Sequence, residues 1–439
     1  MDLSAPKIEK SNLNAWDDVH IHTQPWENKN YNFALFALTS LFFIWGFLTS
    51  LNDILIPHLK NVFSLSYTQA MLIQFCFFGA YFIVSMPASS LVQKLGYQKG
   101  IVVGLVIASF GCFAFYPAAT MASYPIFLAA LFVMASGITI LQVSANPYVT
   151  ALGSSESASG RLSMTQAFNS LGTTVAPLFG ALLILGATTS GIEHLSDAQF
   201  KSQEAQAVQL PYLFLAFSLM LLAVIFAKLK LPIIESHQND AKEENQSSLL
   251  DYPHLLLGAV GIFVYVGAEV AIGSFLINFL NEPSIGGLTE SDAATYISFY
   301  WGGAMIGRFI GAIVMQRIKA GKVLAFNSIV AAILTTTAIL SSGYLAMVAI
   351  ILVGLFNSIM FPTIFSLALN GLAASTSKGS GLLCLAIAGG AVIPMLQGIL
   401  ADSLGLQLSF FLPMLCYLYI CYYGLKGSTL TTKKSHKNP

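Results

Sequence analysis

The segment GAYFIVSMPASSLVQKLGYQK (79–99) has a counterpart later in the chain, GGAMIGRFIGAIVMQRIKAGK (302–322). The alignment has no gaps: both segments begin with glycine, contain glutamine followed by a basic residue near the end, and finish with lysine. A second pair, ANPYVTAL (145–152) and MFPTIFSL (360–367), shares a proline at its third position. Each match alone is weak, but together they indicate two parallel repeats.

The composition predicts what these repeats contain. Asp, Glu, Lys and Arg make up 9% of the 439 residues, and 56% of the residues are hydrophobic. Globular proteins carry about 25% charged residues, so a soluble domain could not cover its surface with so few. We therefore expect a helical membrane protein. Successive apolar windows predict twelve transmembrane helices: 31–58, 66–94, 99–119, 124–150, 159–187, 210–229, 253–281, 290–317, 322–342, 345–371, 379–402 and 407–426.

A charged stretch after the sixth helix, LPIIESHQNDAKEENQSSLLDY, divides these helices into six and six. The predicted fold is therefore an all-α membrane protein with 12 transmembrane helices in two pseudo-symmetric six-helix bundles. The expected parts are an N-terminal tail (1–30), a first bundle (31–230), a linker (231–252), a second bundle (253–426) and a C-terminal tail (427–439).

The distribution of Lys and Arg predicts the orientation. Cytoplasmic loops carry an excess of basic residues. If both termini are cytoplasmic, only Lys60 and Lys201 face outward, and Arg308 falls within a helix. The first thirty residues lack the basic and apolar regions of a signal peptide. We expect a multi-pass protein of the cell inner membrane. Under this orientation the cytoplasmic basic residues are Lys94, Lys99, Arg161, Lys228, Lys230, Lys242, Arg317, Lys319, Lys322, Lys378 and Lys426.

Polar residues within the predicted membrane helices are candidate site residues. Uncompensated polar groups in hydrocarbon cost several kcal/mol, so such side chains should face the bundle interior or a wet cavity. In helix 1, Trp45, Thr49, Asn52 and Asp53 fall on adjoining turns of one side. An indole, a hydroxyl, an amide and a carboxylate together suit a sugar. Two alternatives stay open: Trp45 packs against lipid or a neighbour, and Asp53 pairs with a distant basic residue.

Helix 4 places Gln142 and Asn146 four residues apart, just before Pro147. The proline removes a backbone donor and is expected to open the helix locally. Asn146 could therefore contact a ligand or bond to the carbonyl that the proline frees.

Helix 5 carries a polar stripe with helical spacing: Ser163, Gln166, Asn169, Ser170 and Thr173. Such a stripe lines either a cavity or a helix seam, and Ser and Thr are common in seams. The two amides, Gln166 and Asn169, favour the cavity.

In the second half, Glu269 is an acid within a membrane helix. Arg308 is either the counter-ion of an acid or a residue that extends to the membrane surface. Further candidates are Asn278, Tyr300, Asn357 and Phe361, the last of which precedes Pro362.

Enzymatic motifs are absent from the sequence, which has no Walker A, HExxH or GxSxG pattern. We therefore expect neither an enzyme nor a bound cofactor. The five cysteines lie in apolar runs without a CxxC spacing, which indicates small buried hydrophobes. Nucleic acid is not an expected partner; the lipid bilayer is.

Two six-helix repeats are the arrangement of the major facilitator superfamily, whose substrate lies between the halves. Three stretches, LNDILIPHL (51–59), LQVSANPYVTALG (141–153) and RLSMTQAFNSLGTTVAP (161–177), resemble the fucose–galactose–glucose symporter family within it. The resemblance extends from about 31 to 426 and is closest to bacterial glucose/galactose transporters. It implies transport of a monosaccharide coupled to a cation, by a protein that is monomeric by default.

The resemblance also implies residue roles. Asp53 matches the family's coupling acid, with Asn52 and Gln142 beside it in this interpretation. Where the fucose-transporting members have a glutamate in helix 4, this chain has Gln142; where they have a glutamine in helix 7, it has Glu269. From the polar and aromatic residues within the helices and these matches together, the expected sugar contacts are Trp45, Gln142, Asn146, Gln166, Asn169, Glu269, Asn278, Tyr300, Asn357 and Phe361.

The coupling cation in this interpretation is either sodium or a proton. The loss of the second acid at Gln142 favours sodium, bound at Asp53, over a proton. A proton-coupled transporter of fucose or N-acetylglucosamine is the main alternative. A drug exporter and a non-transporting sugar receptor are further alternatives. An exporter should have an apolar binding site, whereas helix 5 offers amide side chains.

Overall fold

The computed structural model describes residues 27–62, 67–121, 123–180, 209–232, 234 and 248–430. In these ranges all regular structure is helical. The first six membrane helices are α1 (Glu27–Val62), α2 (Tyr67–Leu95), α3 (Tyr97–Thr120), α4 (Tyr124–Ala151), α5 (Ala158–Gly180) and α6 (Gln209–Lys228). The next three are α7 (Pro253–Asn281), α8 (Glu290–Val314) and α9 (Ala320–Leu340).

The last three helices are interrupted. They are α10a (Gly343–Asn357) and α10b (Met360–Leu369), α11a (Thr376–Leu385) and α11b (Gly389–Leu404), and α12a (Leu406–Ser409) and α12b (Phe411–Tyr422). A 3₁₀ turn, Ala386–Ala388, joins the parts of α11, and a π turn, Tyr423–Gly427, follows α12b. In membrane proteins, breaks of this kind are tolerated where the freed backbone groups find other partners.

The predicted helices agree with those of the structure to within a few residues at most ends. Ten of the helices in the described part are long and apolar enough to cross a membrane. The other two of the twelve, α1 and α5, are present, and α1 includes the apolar segment Tyr31–Phe47. Two differences stand out. Helix α4 continues through Pro147 instead of opening, and α10 breaks at residues that the sequence placed inside one helix. Most of the predicted linker, 233 and 235–247, lies outside the described residues.

Helix packing repeats between the first half (α1–α6) and the second half (α7–α12). In the first half, α1 packs on α5, α2 and α3 on α4, and α3 on α6. In the second half, α7 packs on α11, α8 and α9 on α10, and α9 on α12. Adding six to each helix number converts the first set into the second. This correspondence is the structural counterpart of the repeat seen in the sequence.

The two halves meet where α2 packs on α11 and where α5 packs on α8. Each of these contacts is the counterpart of the other, because α2 corresponds to α8 and α5 corresponds to α11. Ser159 and Ser366 share a hydrogen bond of 2.5 Å across this boundary. Contact between α2 and α11 is concentrated on α11a and decreases along α11b. The halves are therefore in contact at the end of the bundle that carries Arg161 and Lys378, and they diverge toward the other end.

Candidate functional site

Among the described residues, one ion pair lies inside the bundle, between Arg308 of α8 and Glu269 of α7. The Nη2–Oε1 distance is 3.6 Å, and the two side chains are 13% and 15% exposed. Tyr265, one turn before Glu269, donates its hydroxyl to the same oxygen at 2.8 Å. The partial exposure means that the pair borders an accessible space, and the partners offset the cost of placing charges within a membrane.

Arg308 uses its other two nitrogen atoms on different helices. Its Nε donates to the carbonyl oxygen of Ser358, in the break between α10a and α10b, at 3.0 Å. Its Nη1 donates to the hydroxyl of Ser170 on α5. The guanidinium therefore joins α7, α8 and the break in α10 to the first half. Of the two roles that the sequence left open for Arg308, the structure shows the counter-ion.

Three buried tyrosines and an asparagine extend this cluster. Asn357, the last residue of α10a, donates its amide to the hydroxyl of Tyr300 at 2.7 Å. Tyr265, Tyr300 and Tyr417 all lie within electrostatic range of Glu269. The Oδ1 of Asn357 and the hydroxyl of Tyr417 are buried and lie beside each other, with no other hydrogen-bond partner among the described residues. A ligand that has hydroxyl groups could bond to both.

The break in α10 lies next to a carbonyl that has no backbone donor. Pro362 has no backbone N–H, so it cannot bond to the carbonyl four residues earlier, which is that of Ser358. This is the carbonyl to which Arg308 donates. The proline therefore creates an acceptor in the membrane, and the arginine satisfies it.

The equivalent proline of the first half shows the same chemistry with a different donor. Pro147 frees the carbonyl of Val143, and the hydroxyl of Ser380 on α11a donates to it at 3.0 Å. This bond crosses from the second half to the first. Asn146, which the sequence offered as a partner for the freed carbonyl, does not make that bond.

Polar atoms without partners are concentrated on α4. Asn146 is fully buried, and both atoms of its side-chain amide lack a hydrogen bond among the described residues. Gln142 donates to the hydroxyl of Tyr81 on α2 at 2.7 Å, but its Oε1 is also without a partner there. Buried polar groups are rarely left unsatisfied, so this face of α4 has oxygens available for water, a cation or a ligand.

The polar stripe of α5 does not line one surface. Asn169 donates its amide to the backbone carbonyl of Phe42 on α1 at 2.9 Å, and Ser50 of α1 donates to the carbonyl of Thr173 at 3.0 Å. A Cβ atom at Gly46 of α1 would collide with the Asn169 carbonyl, so the two helices approach closely there. Asn169 and Thr173 therefore lie in the α1–α5 seam, whereas Ser170 faces Arg308. Gln166 is 8% exposed.

Trp45 lies apart from this cluster. Its ring packs 5.2 Å from that of Phe42 and is 5% exposed. It borders a small apolar pocket that is lined by Leu41, Ile44, Leu105, Ala108, Cys112, Met134, Ile138, Leu141 and Leu219. This position favours the packing alternative for Trp45 over stacking on a sugar.

The other predicted residues have varied positions. Asn278 is exposed near the end of α7, nine residues beyond Glu269, which corresponds to about 13 Å along a helix. Phe361 is half-buried beyond the break in α10, and its ring lies 5.7 Å from that of Phe365. Helix α1 includes Asn52 and Asp53, but their side chains lie outside the described residues.

Sequence reasoning missed Tyr265, Ser170 as a partner of Arg308, Ser380 and Tyr417. Tyr265 could have been found, because it lies four residues from Glu269 on the same helix face. The other three act across helices that are distant in sequence. In the part of the chain that the structure describes, no three His, Cys, Asp or Glu side chains lie close enough together to bind a metal ion. The amide oxygens of Gln142 and Asn146, four residues apart on α4, are of a type that could hold a small cation.

Comparison with known proteins identifies the family. A model of the Major Facilitator Superfamily matches residues 37–386, most of the chain. The chain belongs to the major facilitator superfamily. The predicted fold of two six-helix halves is thereby confirmed, and the major facilitator arrangement explains the packing correspondence between α1–α6 and α7–α12. Members of this superfamily are membrane transporters, and the similar proteins are named transporters or symporters, not enzymes.

Three relatives illustrate the similarity. A "Glucose/galactose transporter" of Brucella abortus is 59% identical over 408 residues, which cover 93% of this chain and 97% of that protein. The "L-fucose-proton symporter" of Escherichia coli is 34% identical over 419 residues, which cover 92% of this chain and 95% of that protein. The crystal structure of the major facilitator transporter FucP in the outward conformation has a TM-score of 0.84 at 32% identity, over 92% of this chain and all of that one. The resemblance inferred from the sequence motifs is therefore confirmed.

Proposed function

We propose that the protein transports a neutral hexose across the cell inner membrane by alternating access, coupled to a cation. The observation that carries this proposal is the cluster around Glu269 and Arg308, at a helix break and between the halves. It combines a carboxylate, a guanidinium, tyrosine hydroxyls and an amide, which can donate and accept bonds from sugar hydroxyls. The 59% identity to a protein named a glucose/galactose transporter supports a hexose as the substrate.

The sugar contacts that the geometry favours come from both halves. Glu269, Tyr300 and Asn357 belong to the cluster itself. Gln142 and Gln166 are the first-half candidates: Gln142 bonds to Tyr81 and keeps its Oε1 without a partner among the described residues, and Gln166 is 8% exposed. We retain these five as sugar contacts. The positions of Trp45, Asn169 and Asn278 favour packing or surface roles.

The transport cycle follows from how the halves meet. With the predicted orientation, the end that carries Arg161 and Lys378 is cytoplasmic, and its closure leaves the cluster open toward the outside. The similarity to FucP in the outward conformation supports this assignment. Opening at the cytoplasmic end would require the loss of the bonds from Ser159 to Ser366 and from Ser380 to the Val143 carbonyl.

For coupling, we propose that Asp53 binds the driving cation and that this cation is sodium. Closing a low-dielectric site over a bare carboxylate is costly, so the cation-loaded form should close more readily. Sodium is coordinated by oxygen atoms, and the unpartnered amide oxygens of Gln142 and Asn146 are of the right type. The alternative cation is a proton, because the relatives that transport fucose are named L-fucose-proton symporters.

The test is uptake of radiolabelled D-glucose and D-galactose into proteoliposomes, with sodium and pH gradients imposed separately. We expect a sodium gradient at constant pH to drive accumulation. Accumulation that follows only the pH gradient would contradict sodium coupling while leaving sugar transport intact. The absence of any hexose uptake by stable, reconstituted protein would contradict the proposed function.

Asp53→Asn tests the coupling role directly. The variant should keep exchange of labelled sugar across the membrane, because the protein can bind the sugar and change conformation without the cation. It should accumulate no sugar against a gradient, because sugar movement is no longer linked to cation movement. Asp402→Asn is the matched control, since Asp402 is exposed near the end of α11b and far along the chain from the site. Undiminished accumulation by Asp53→Asn would show that another group couples the cation.

A further inference from the structure

Arg308 brings a fixed positive charge into the proposed site. Guanidinium groups stay protonated in proteins, so this charge cannot be removed by loss of a proton. Each of the three nitrogens has a separate partner: the carbonyl of Ser358, the hydroxyl of Ser170 and the carboxylate of Glu269. Two of these partners are neutral. Glu269 is therefore the described group that balances the charge.

The geometry of the ion pair leaves it open to competition. Its 3.6 Å distance, between Nη2 and Oε1, is longer than the 2.7–2.9 Å of a charge-assisted hydrogen bond. Both side chains are partly exposed to the space that they border. A carboxylate on a substrate could therefore reach Arg308 if Glu269 did not already occupy that direction.

We propose that Glu269 determines the charge selectivity of the site: by neutralising Arg308, it makes the site accept neutral hexoses and reject sugars that carry a carboxylate. A sugar acid would have to separate the pair and leave Glu269 as an unpaired acid beside a second negative charge. Such juxtaposition of like charges costs several kcal/mol and is a common means of excluding the wrong partner. This inference rests on the proposed function and names the substrate class of the same site.

The proposal has a sharp consequence for two sugars that differ at one carbon. D-Glucose and D-glucuronate have the same ring stereochemistry, and only the second carries a carboxylate. The wild-type protein should bind glucose with at least about tenfold preference over glucuronate, because a like-charge contact costs more than 1.4 kcal/mol. In Glu269→Gln, the positive charge of Arg308 is no longer balanced, so this preference should fall at least about tenfold.

The experiment measures binding of both sugars to the purified full-length protein by isothermal titration calorimetry, for the wild type and three variants. Glu269→Gln should gain affinity for glucuronate relative to glucose. The double variant Glu269→Gln/Arg308→Gln removes both charges and should not gain it, which separates a charge effect from extra space. Asp402→Asn, a surface carboxylate change on α11b, should behave as the wild type.

Three outcomes would overturn the proposal. The wild type could bind glucuronate and glucose with affinities within about threefold of each other, or a folded Glu269→Gln could keep the wild-type ratio of the two affinities. Third, the double variant could gain affinity for glucuronate as strongly as the single variant. The first needs no variant, so the proposal can fail even if Glu269→Gln does not fold. A wild-type protein that binds no neutral hexose would contradict the proposed function itself.

Discussion

The two halves contain the same proline in the same place and use it differently. Pro147 lies inside a continuous α4, whereas Pro362 follows a break between α10a and α10b. Each proline frees one carbonyl. The donor to Val143, Ser380, comes from the opposite half, but the donor to Ser358, Arg308, comes from the same half.

This difference assigns separate tasks to two similar features. The bond at Val143 exists only while the halves are in contact at that end, so it stabilises one conformation of the bundle. The bond at Ser358 is made by a side chain that also holds Glu269, so it fixes the geometry of the proposed sugar site. In the proposed cycle, a repeated sequence element thus serves conformational change in one half and binding in the other.

Arg308→Ala should have the largest effect on this comparison. It leaves Glu269 without its counter-ion and the Ser358 carbonyl without its donor, and breaking a buried pair costs about 3–5 kcal/mol. We expect a clear loss of thermal stability in detergent and hexose exchange near background in liposomes. Arg317→Ala is the control, because Arg317 is exposed after the end of α8.

The double variant Arg308→Gln/Glu269→Gln sharpens this prediction. It removes both charges together, so it should recover most of the stability lost in Arg308→Ala, while exchange stays low. Wild-type stability and exchange in Arg308→Ala would show that the guanidinium does not maintain the break in α10.

Much of this architecture was predictable from sequence, because hydropathy and repeat spacing depend on local composition. The ends of α4 and α7 agree with the predicted helices to within one residue. The break in α10 was not predicted, although Pro362 was noted, since an identical proline leaves α4 intact. Both freed carbonyls receive a donor from another helix, so a proline in the sequence does not by itself determine which helix breaks.

The site was predictable only in part, for a related reason. Helical spacing correctly placed polar residues on one side of α5, but it could not say which neighbour that side meets. Asn169 faces α1 and Ser170 faces α8, although they are adjacent in sequence. Glu269 was identified as an unusual acid, while its pairing with Arg308 depends on how α7 and α8 pack.

Ser380→Ala should have an intermediate effect, confined to the contact between the halves. The substitution removes the donor to the Val143 carbonyl. This destabilises only the conformation in which the halves are in contact at that end, by about 1–3 kcal/mol. The equilibrium should therefore shift about fivefold or more toward opening at that end. The readout is maleimide labelling of Cys384, which is fully buried on α11a near Tyr81 of α2. Ser380 also bonds to this thiol, and loss of that bond would slow labelling, so faster labelling in Ser380→Ala reports opening.

For this measurement, the other four cysteines are replaced by serine or alanine in every protein compared. Ser403→Ala is the matched control, because Ser403 is exposed on α11b and bonds only to carbonyls of its own helix. Labelling of Cys384 at an equal rate in Ser380→Ala and in its parent would show that this bond does not hold the halves together.

The smallest expected effect comes from combining this change with Pro147→Ala. The second substitution restores a backbone N–H that can bond to the Val143 carbonyl, so the hydroxyl of Ser380 is no longer needed there. In the Pro147→Ala background, Ser380→Ala should change the labelling rate by less than about twofold. A shift as large as in the parent would mean that the freed carbonyl is not the reason for the Ser380 contact.

The most direct test of the central claim, that this chain transports a neutral hexose through the site held by Arg308, is exchange of radiolabelled D-glucose. Purified protein is reconstituted into liposomes loaded with unlabelled D-glucose, and entry of external label is followed for the wild type, Arg308→Ala and Arg317→Ala. We predict rapid exchange by the wild type and by Arg317→Ala, and exchange near background by Arg308→Ala. Equal exchange by all three proteins, or none by a stable wild type with either D-glucose or D-galactose, would contradict the account.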